Sequence, residues 1–138
     1  MEPRESKNIE DYLETLYSLT RKGGRAKTTE ISERLTVAPA SVTEMLQKLQ
    51  AKGYVNYSAY QGTTLTPEGR KIGEKITRKH RLLERFLSDV LHIGKNQVHA
   101  QACEMEHALS DQAEESLRRF LTHLDKITDQ NKIRPCDR

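Results

Sequence analysis

Apolar residues recur at helical spacing along most of this chain, and Gly and Pro fall between the runs as punctuation. Ile9, Tyr12, Leu13, Leu16 and Leu19 predict a first helix, with Asn8 as N-cap, Asp11 as its capping-box partner and Gly23-Gly24 as the stop. Thr28 or Thr29 caps a second, short helix carrying Ile31 and Leu35. After the link Thr36-Val37-Ala38, Pro39 opens a third helix over about residues 40–52, closed by Gly53. Val42, Met45, Leu46 and Leu49 form its apolar stripe, while Ser41, Thr43, Glu44, Gln47 and Lys48 take other faces. The period then changes from helical to alternating: Tyr54-Val55-Asn56-Tyr57, a turn around Tyr60-Gln61-Gly62, and Thr63-Thr64-Leu65 returning predict a hairpin. Thr66 as N-cap and Pro67 as first helical residue open a long segment ending near Gly94, with Ile72, Ile76, Leu83, Phe86, Leu87 and Val90 as buried positions. Helices over about 95–109 and 110–127 follow, and residues 129–138 have no periodicity and are expected to be loose.

Two short helices joined by a tight link and followed by a hairpin make a winged helix-turn-helix, whose second short helix enters the major groove of DNA. The expected fold is mostly α: a DNA-binding domain over residues 1–75, then a helical metal-binding and dimerisation domain over 76–138. Ser41 and Thr43 offer hydroxyls for phosphates or base edges, Arg25, Lys27, Lys48 and Lys52 supply charge, and Pro39, Ala40 and Tyr60 complete the DNA-facing set. Glu44 sits awkwardly among them, since a carboxylate in the groove either accepts from cytosine N4 or turns away. The competing reading is a small α/β domain whose hydroxyls merely cap and solvate, but it leaves a two-stranded hairpin without a purpose.

Charge changes the picture only modestly. Of 138 residues, 1–85 hold 16 Lys and Arg against 11 Asp and Glu, and 86–138 hold 7 against 9. A basic first part beside a slightly acidic second one suits a nucleic-acid reader with a separate assembly part. No apolar run approaches the ~18 residues of a membrane helix, and Met1-Glu2-Pro3-Arg4-Glu5 has no secretory character, so a cytoplasmic protein with no membrane partner is expected. Two cysteines, Cys103 and Cys136, allow one bridge at most, and a cysteine beside His and Glu reads better as a ligand or a thiol.

His99, Cys103, Glu106 and His107 fall at i, i+4, i+7 and i+8, on one helical face and in the strip beside the apolar seam Val98, Ala102, Met105, Leu109. Burying two imidazoles, a thiol and a carboxylate without partners costs several kcal/mol, which coordination of a cation offsets. This donor set suits a divalent transition ion better than Ca²⁺ or Mg²⁺. His80 with Glu84, at i, i+4, and Asp11 with Glu14, at i, i+3, are similar sets, each with a bland explanation as surface charges or as acids near a helix N-terminus.

With the winged helix-turn-helix in front, the stretches Arg78-Lys79-His80-Arg81-Leu82-Leu83-Glu84 and Val98-His99-Ala100-Gln101-Ala102-Cys103-Glu104-Met105-Glu106-His107-Ala108-Leu109-Ser110 resemble the DtxR/MntR family of iron- and manganese-dependent repressors. The resemblance covers nearly the whole chain. It implies that Asp11, Cys103, Glu106 and His107 form an activating metal site, that His80, Glu84 and His99 complete an ancillary one, and that Glu14 supplies a second N-terminal carboxylate. Asp11 with Glu14 follows the manganese pattern, whereas Cys103 in place of a glutamate, with His99 and Glu84, follows the iron pattern. The chain stops at Arg138, so the SH3-like third domain of longer members is expected to be absent.

The expected function is therefore a homodimeric, metal-activated repressor of metal-uptake genes. It would bind a palindromic double-stranded operator, pair subunits through Leu83, Phe86, Leu87 and Val90, and act on no small organic substrate. Mn²⁺ or Fe²⁺ is the expected corepressor, with Zn²⁺, Co²⁺ or Ni²⁺ able to substitute in vitro. Two rivals stand beside it: a metal-independent winged-helix regulator whose polar stripe is an internal hydrogen-bond network, and a small metal-dependent hydrolase, for which no nucleophile motif is visible.

Overall fold

The computed structural model describes residues 5–131, so Cys136 and the rest of the stretch beyond residue 131 lie outside the described residues. The chain divides into two compact units between Thr77 and Arg78.

The first unit begins with α1 (Lys7–Thr20). Its N-cap is Ser6, whose hydroxyl accepts from the Ile9 N–H at 3.3 Å, and Asn8 is already helical. A hydroxyl two residues earlier satisfies a free first-turn amide just as the expected Asn8 would have done. In α2 (Thr28–Leu35), Lys27 holds the cap position and its N–H donates to the Glu30 carboxylate at 2.9 Å, so Thr28 is the first helical residue. Thr36 takes the left-handed conformation at the link (φ 56°), and α3 (Pro39–Ala51) starts on Pro39. Val42, Leu46 and Leu49 of α3 are buried among Ile9, Tyr12, Leu13, Leu16, Ile31 and Val55.

Strands β1 (Val55–Ser58) and β2 (Gly62–Leu65) pair antiparallel, Val55 opposite Leu65 and Ser58 opposite Gly62. So short a hairpin is marginal alone. Here it gains a third partner, because Ala26 and Thr63 exchange both backbone hydrogen bonds at 2.9 Å. The helix α4 (Pro67–Arg85) opens with the Thr66 hydroxyl accepting from the Gly69 N–H. Two glycines let it approach closely: a Cβ at Gly69 would sit 2.0 Å from the Tyr54 carbonyl oxygen, and one at Gly73 would sit 2.6 Å from that of Leu13 on α1.

The second unit takes the C-terminal end of α4, a π-helical turn (Phe86–Val90), α5 (Lys95–Glu106) and α6 (Asp111–Asn131). The long segment expected to run to Gly94 ends earlier, because the Leu91 N–H reaches back five residues to Phe86 and His92 turns left-handed (φ 57°). The helix α5 stops at Glu106 rather than 109, where Ala108 bonds back only three residues to Met105, and the Ser110 hydroxyl then caps α6 through the Ala113 N–H. Leu83, Leu87, Val98 and Ala102 form this unit's core, flanked by Ile93, Met105, Leu109 and Leu117. Among the described residues no helix is long and apolar enough to cross a membrane.

Candidate metal centre

Helical spacing on two elements of the second unit assembles the donors. On α4, His80 and Glu84 stand one turn apart with His80 Nε2 3.0 Å from a Glu84 oxygen. On α5, His99 and Cys103 stand one turn apart, with 3.7 Å between the thiol and His99 Nε2. The two pairs meet: His80 Nε2 is 3.1 Å from His99 Nδ1, the Cys103 sulfur is 3.8 Å from His80 Nδ1, and a Glu84 oxygen is 3.6 Å from His99. One ligand atom each from His80, His99 and Cys103 lie within 4.8 Å of one another. Two donors bound to one ion at about 2.1 Å in a tetrahedral arrangement are about 3.4 Å apart, so this spacing suits a single transition ion.

Glu106 is fully buried, and among the described residues neither of its oxygens has a hydrogen-bond partner. One lies 3.3 Å from His80 Nδ1 and the other 3.7 Å from His107 Nε2, which are ion-pair distances. A buried carboxylate so placed carries a large desolvation cost that a cation, or a protonated imidazole, relieves. The Glu106 carboxylate beside it holds the His80 imidazole pKa above its ordinary value, against the opposing effect of burial, and Glu84 adds to the rise. His80 is thus the pivot of the centre, with one ring nitrogen toward Glu84 and His99 and the other toward Glu106 and Cys103.

Three details depart from the expectation. Glu106 belongs to the buried seam itself, since Val98, Ala102 and Glu106 follow at i, i+4, i+8 and all are buried, whereas His99 is exposed. His107 stands at the C-cap, just past the end of α5. The structure also gathers Cys103 with His80 and His99, the set that the resemblance reserves for an ancillary site. Asp11 and Glu14 lie in the first unit, one turn apart on α1, both half-buried.

On α3, Pro39, Ala40, Ser41, Glu44 and Lys48 are exposed, opposite the buried Val42, Leu46 and Leu49. Glu44 therefore shares the outward face with Ser41 and Lys48. Thr43 is half-buried and its hydroxyl donates to the Pro39 carbonyl at 3.2 Å. Arg25 and Lys27 are exposed, Tyr60 is fully exposed at the hairpin tip, and Lys52, just past α3, pairs with Glu5 at 3.7 Å. Of the four dimer candidates, Leu83 and Leu87 are buried in the unit's own core, and Phe86 and Val90 are half-exposed.

Sequence reasoning passed over Lys79. It is 4 % exposed, its ammonium donates to the Leu109 carbonyl at 2.7 Å, and it pairs with Asp111 at 3.2 Å. The signal was present, because Ile76, Lys79 and Leu83 follow at i, i+3, i+7 on the buried stripe of α4.

A winged helix-turn-helix with a polar face on its recognition helix, in one chain with a His, Cys and Glu cluster on two packed helices, defines a DNA-binding regulator with a metal centre. Comparison with known proteins agrees. Residues 6–63 match the iron dependent repressor N-terminal DNA binding domain, and residues 66–135 match the iron dependent repressor metal binding and dimerisation domain. The chain belongs to the iron dependent repressor family, a family of metal-dependent DNA-binding transcriptional repressors. It is 42 % identical over 117 residues to an uncharacterised HTH-type transcriptional regulator of Methanocaldococcus jannaschii, covering 84 % of this chain and 94 % of that one. It is 40 % identical over 103 residues to the HTH-type transcriptional regulator MntR of Lysinibacillus sphaericus, covering 75 % and 73 %. A solved manganese-dependent transcriptional repressor in complex with manganese superposes with a TM-score of 0.74 at 31 % identity, over 83 % of this chain and 52 % of that one. This chain thus spans about half the length of that solved relative. Family membership favours the metal-dependent regulator over both the metal-independent regulator and the hydrolase.

Proposed function

We propose that this protein is a homodimeric repressor that binds a palindromic operator when Mn²⁺ or Fe²⁺ is held at the centre, and that it governs metal-uptake genes. The observation that carries the reading is Glu106: a carboxylate buried beside His80 and His107, without a hydrogen-bond partner among the described residues, on the helix that presents Cys103 and His99. His80, Glu84, His99, Cys103, Glu106 and His107 are the ligands from the second unit. Asp11 and Glu14 of α1 supply further oxygen donors, as the resemblance implies.

Asp11 and Glu14 of the first unit and the donors of the second would hold the ion together; its positive charge would then restrain the DNA-reading unit relative to the dimerising one. In the dimer, two α3 helices then meet half-sites one helical turn, ~34 Å, apart. Ser41 and Lys48 face the groove and its phosphates, with Arg25, Lys27 and Tyr60 on the flanks. Phe86 and Val90 contribute the surface layer of the subunit contact, and Leu83 and Leu87 pack beneath them. On this reading the protein is a regulator, not an enzyme, and works in the cytoplasm, where its DNA is.

Fluorescence anisotropy on a palindromic operator fragment, with chelator and then with Mn²⁺ or Fe²⁺ under anaerobic conditions, tests this. Metal is expected to tighten binding at least tenfold in the unaltered chain and to have no effect in Glu106→Gln. Equal affinity with and without metal would remove the ion as effector.

A further inference from the structure

Lys79 occupies a core position on α4 that an apolar side chain would fill at lower cost, since an ammonium taken out of water carries a desolvation penalty. What an apolar side chain lacks is direction. The Lys79 ammonium grips the Leu109 carbonyl at 2.7 Å and the Asp111 carboxylate at 3.2 Å, so it clasps the α5–α6 turn two residues after His107. The next residue of α4, His80, faces Glu106 at 3.3 Å, on the other side of His107 in the chain. Two consecutive side chains of α4 therefore hold the corner that carries Glu106 and His107. At that corner α5 ends at Glu106, and the Ala108 N–H returns three residues to the Met105 carbonyl at 3.1 Å.

We propose that Lys79 is a positioning residue of the metal centre: by fixing the turn after α5 it holds the Glu106 carboxylate and the His107 imidazole in the arrangement that receives the ion. The inference rests on the metal-binding reading above and adds a residue that touches no ion. Outer partners that orient metal ligands typically change affinity by about 10–100-fold when removed. A merely structural lysine would change the melting temperature and leave the affinity of the folded protein alone.

The test uses the full chain and three variants, Lys79→Met, Lys79→Arg and Asp111→Asn, each titrated with Mn²⁺ and Co²⁺ against a chromophoric chelator at a temperature where circular dichroism shows it folded. Lys79→Met is expected to weaken Mn²⁺ binding about 10–100-fold, while the Co²⁺–thiolate absorption from the His80, His99 and Cys103 set persists. Lys79→Arg, which keeps the cation, is expected to recover most of the affinity, and Asp111→Asn to lose several-fold. Wild-type Mn²⁺ affinity in folded Lys79→Met overturns the proposal, as does a lowered melting temperature with unchanged affinity. Should Lys79→Met fail to fold, full affinity in Asp111→Asn overturns it instead. Absence of metal binding by the unaltered chain is a separate result, which overturns the metal reading and this inference with it.

Discussion

His80 is a single imidazole shared by four neighbours, and its protonation state sets what the centre does. In the metal-free protein the Glu106 carboxylate raises its pKa above the ordinary 6.5, so the folded chain holds this proton more tightly than the unfolded one. The stabilisation is full below about pH 6.5 and is lost as pH rises through the raised folded value. Urea midpoints of chelator-treated protein should therefore show the gap between wild type and His80→Gln narrowing from pH 5.5 to pH 8. Proton and metal compete for the same ring, so metal affinity should climb across that window. Cys103 is the softest donor of the set. Replacing it in Cys103→Glu should raise Mn²⁺ affinity relative to Zn²⁺, measured by chelator competition, because oxygen donors suit Mn²⁺ and thiolate favours the softer ions. These donor types were readable from the chain; that Cys103 gathers with His80 and His99 was not, since a side chain's neighbours on another helix leave no mark in its own spacing.

At the scale of elements, helix starts and stops were legible wherever a local signal is unambiguous, as at Thr66-Pro67 and at Pro39. They were missed where two local signals compete. Ser6 and Asn8 both suit an N-cap, and the chain uses Ser6. The π-helical turn at Phe86–Val90 had no local signal, since apolar periodicity continues across it. Close contacts between elements were equally silent. Gly73 is helical and reads as a weak point of α4, yet its missing Cβ is what admits the Leu13 backbone of α1. Gly73→Ala should thus cost about 1–3 kcal/mol despite the better helix propensity of alanine, measured by urea denaturation. Stability equal to or above wild type would show that α1 and α4 yield easily.

For the whole molecule, the division of the chain into a DNA-reading unit and a helical unit with the ligand cluster makes metal control an intramolecular readout. Asp11→Ala removes a carboxylate of the first unit and leaves the His80, His99 and Cys103 set untouched. The variant is expected to retain Co²⁺–thiolate absorption and dimerisation while losing most of the metal stimulation of operator binding. Undiminished stimulation would restrict the controlling ligands to the second unit. The winged-helix pattern and the candidate donors were legible in the order of residues alone, because helical period, turn chemistry and donor identity are properties of neighbours along a chain, and the resemblance of two helical stretches pointed to the family. The burial of Glu106, the pairing of Cys103 with two imidazoles and the clasp of Lys79 on the Leu109 carbonyl were decided by tertiary packing. Each depends on which face of one helix meets another, and desolvation and coordination act through space at distances of a few ångströms between residues far apart in the chain.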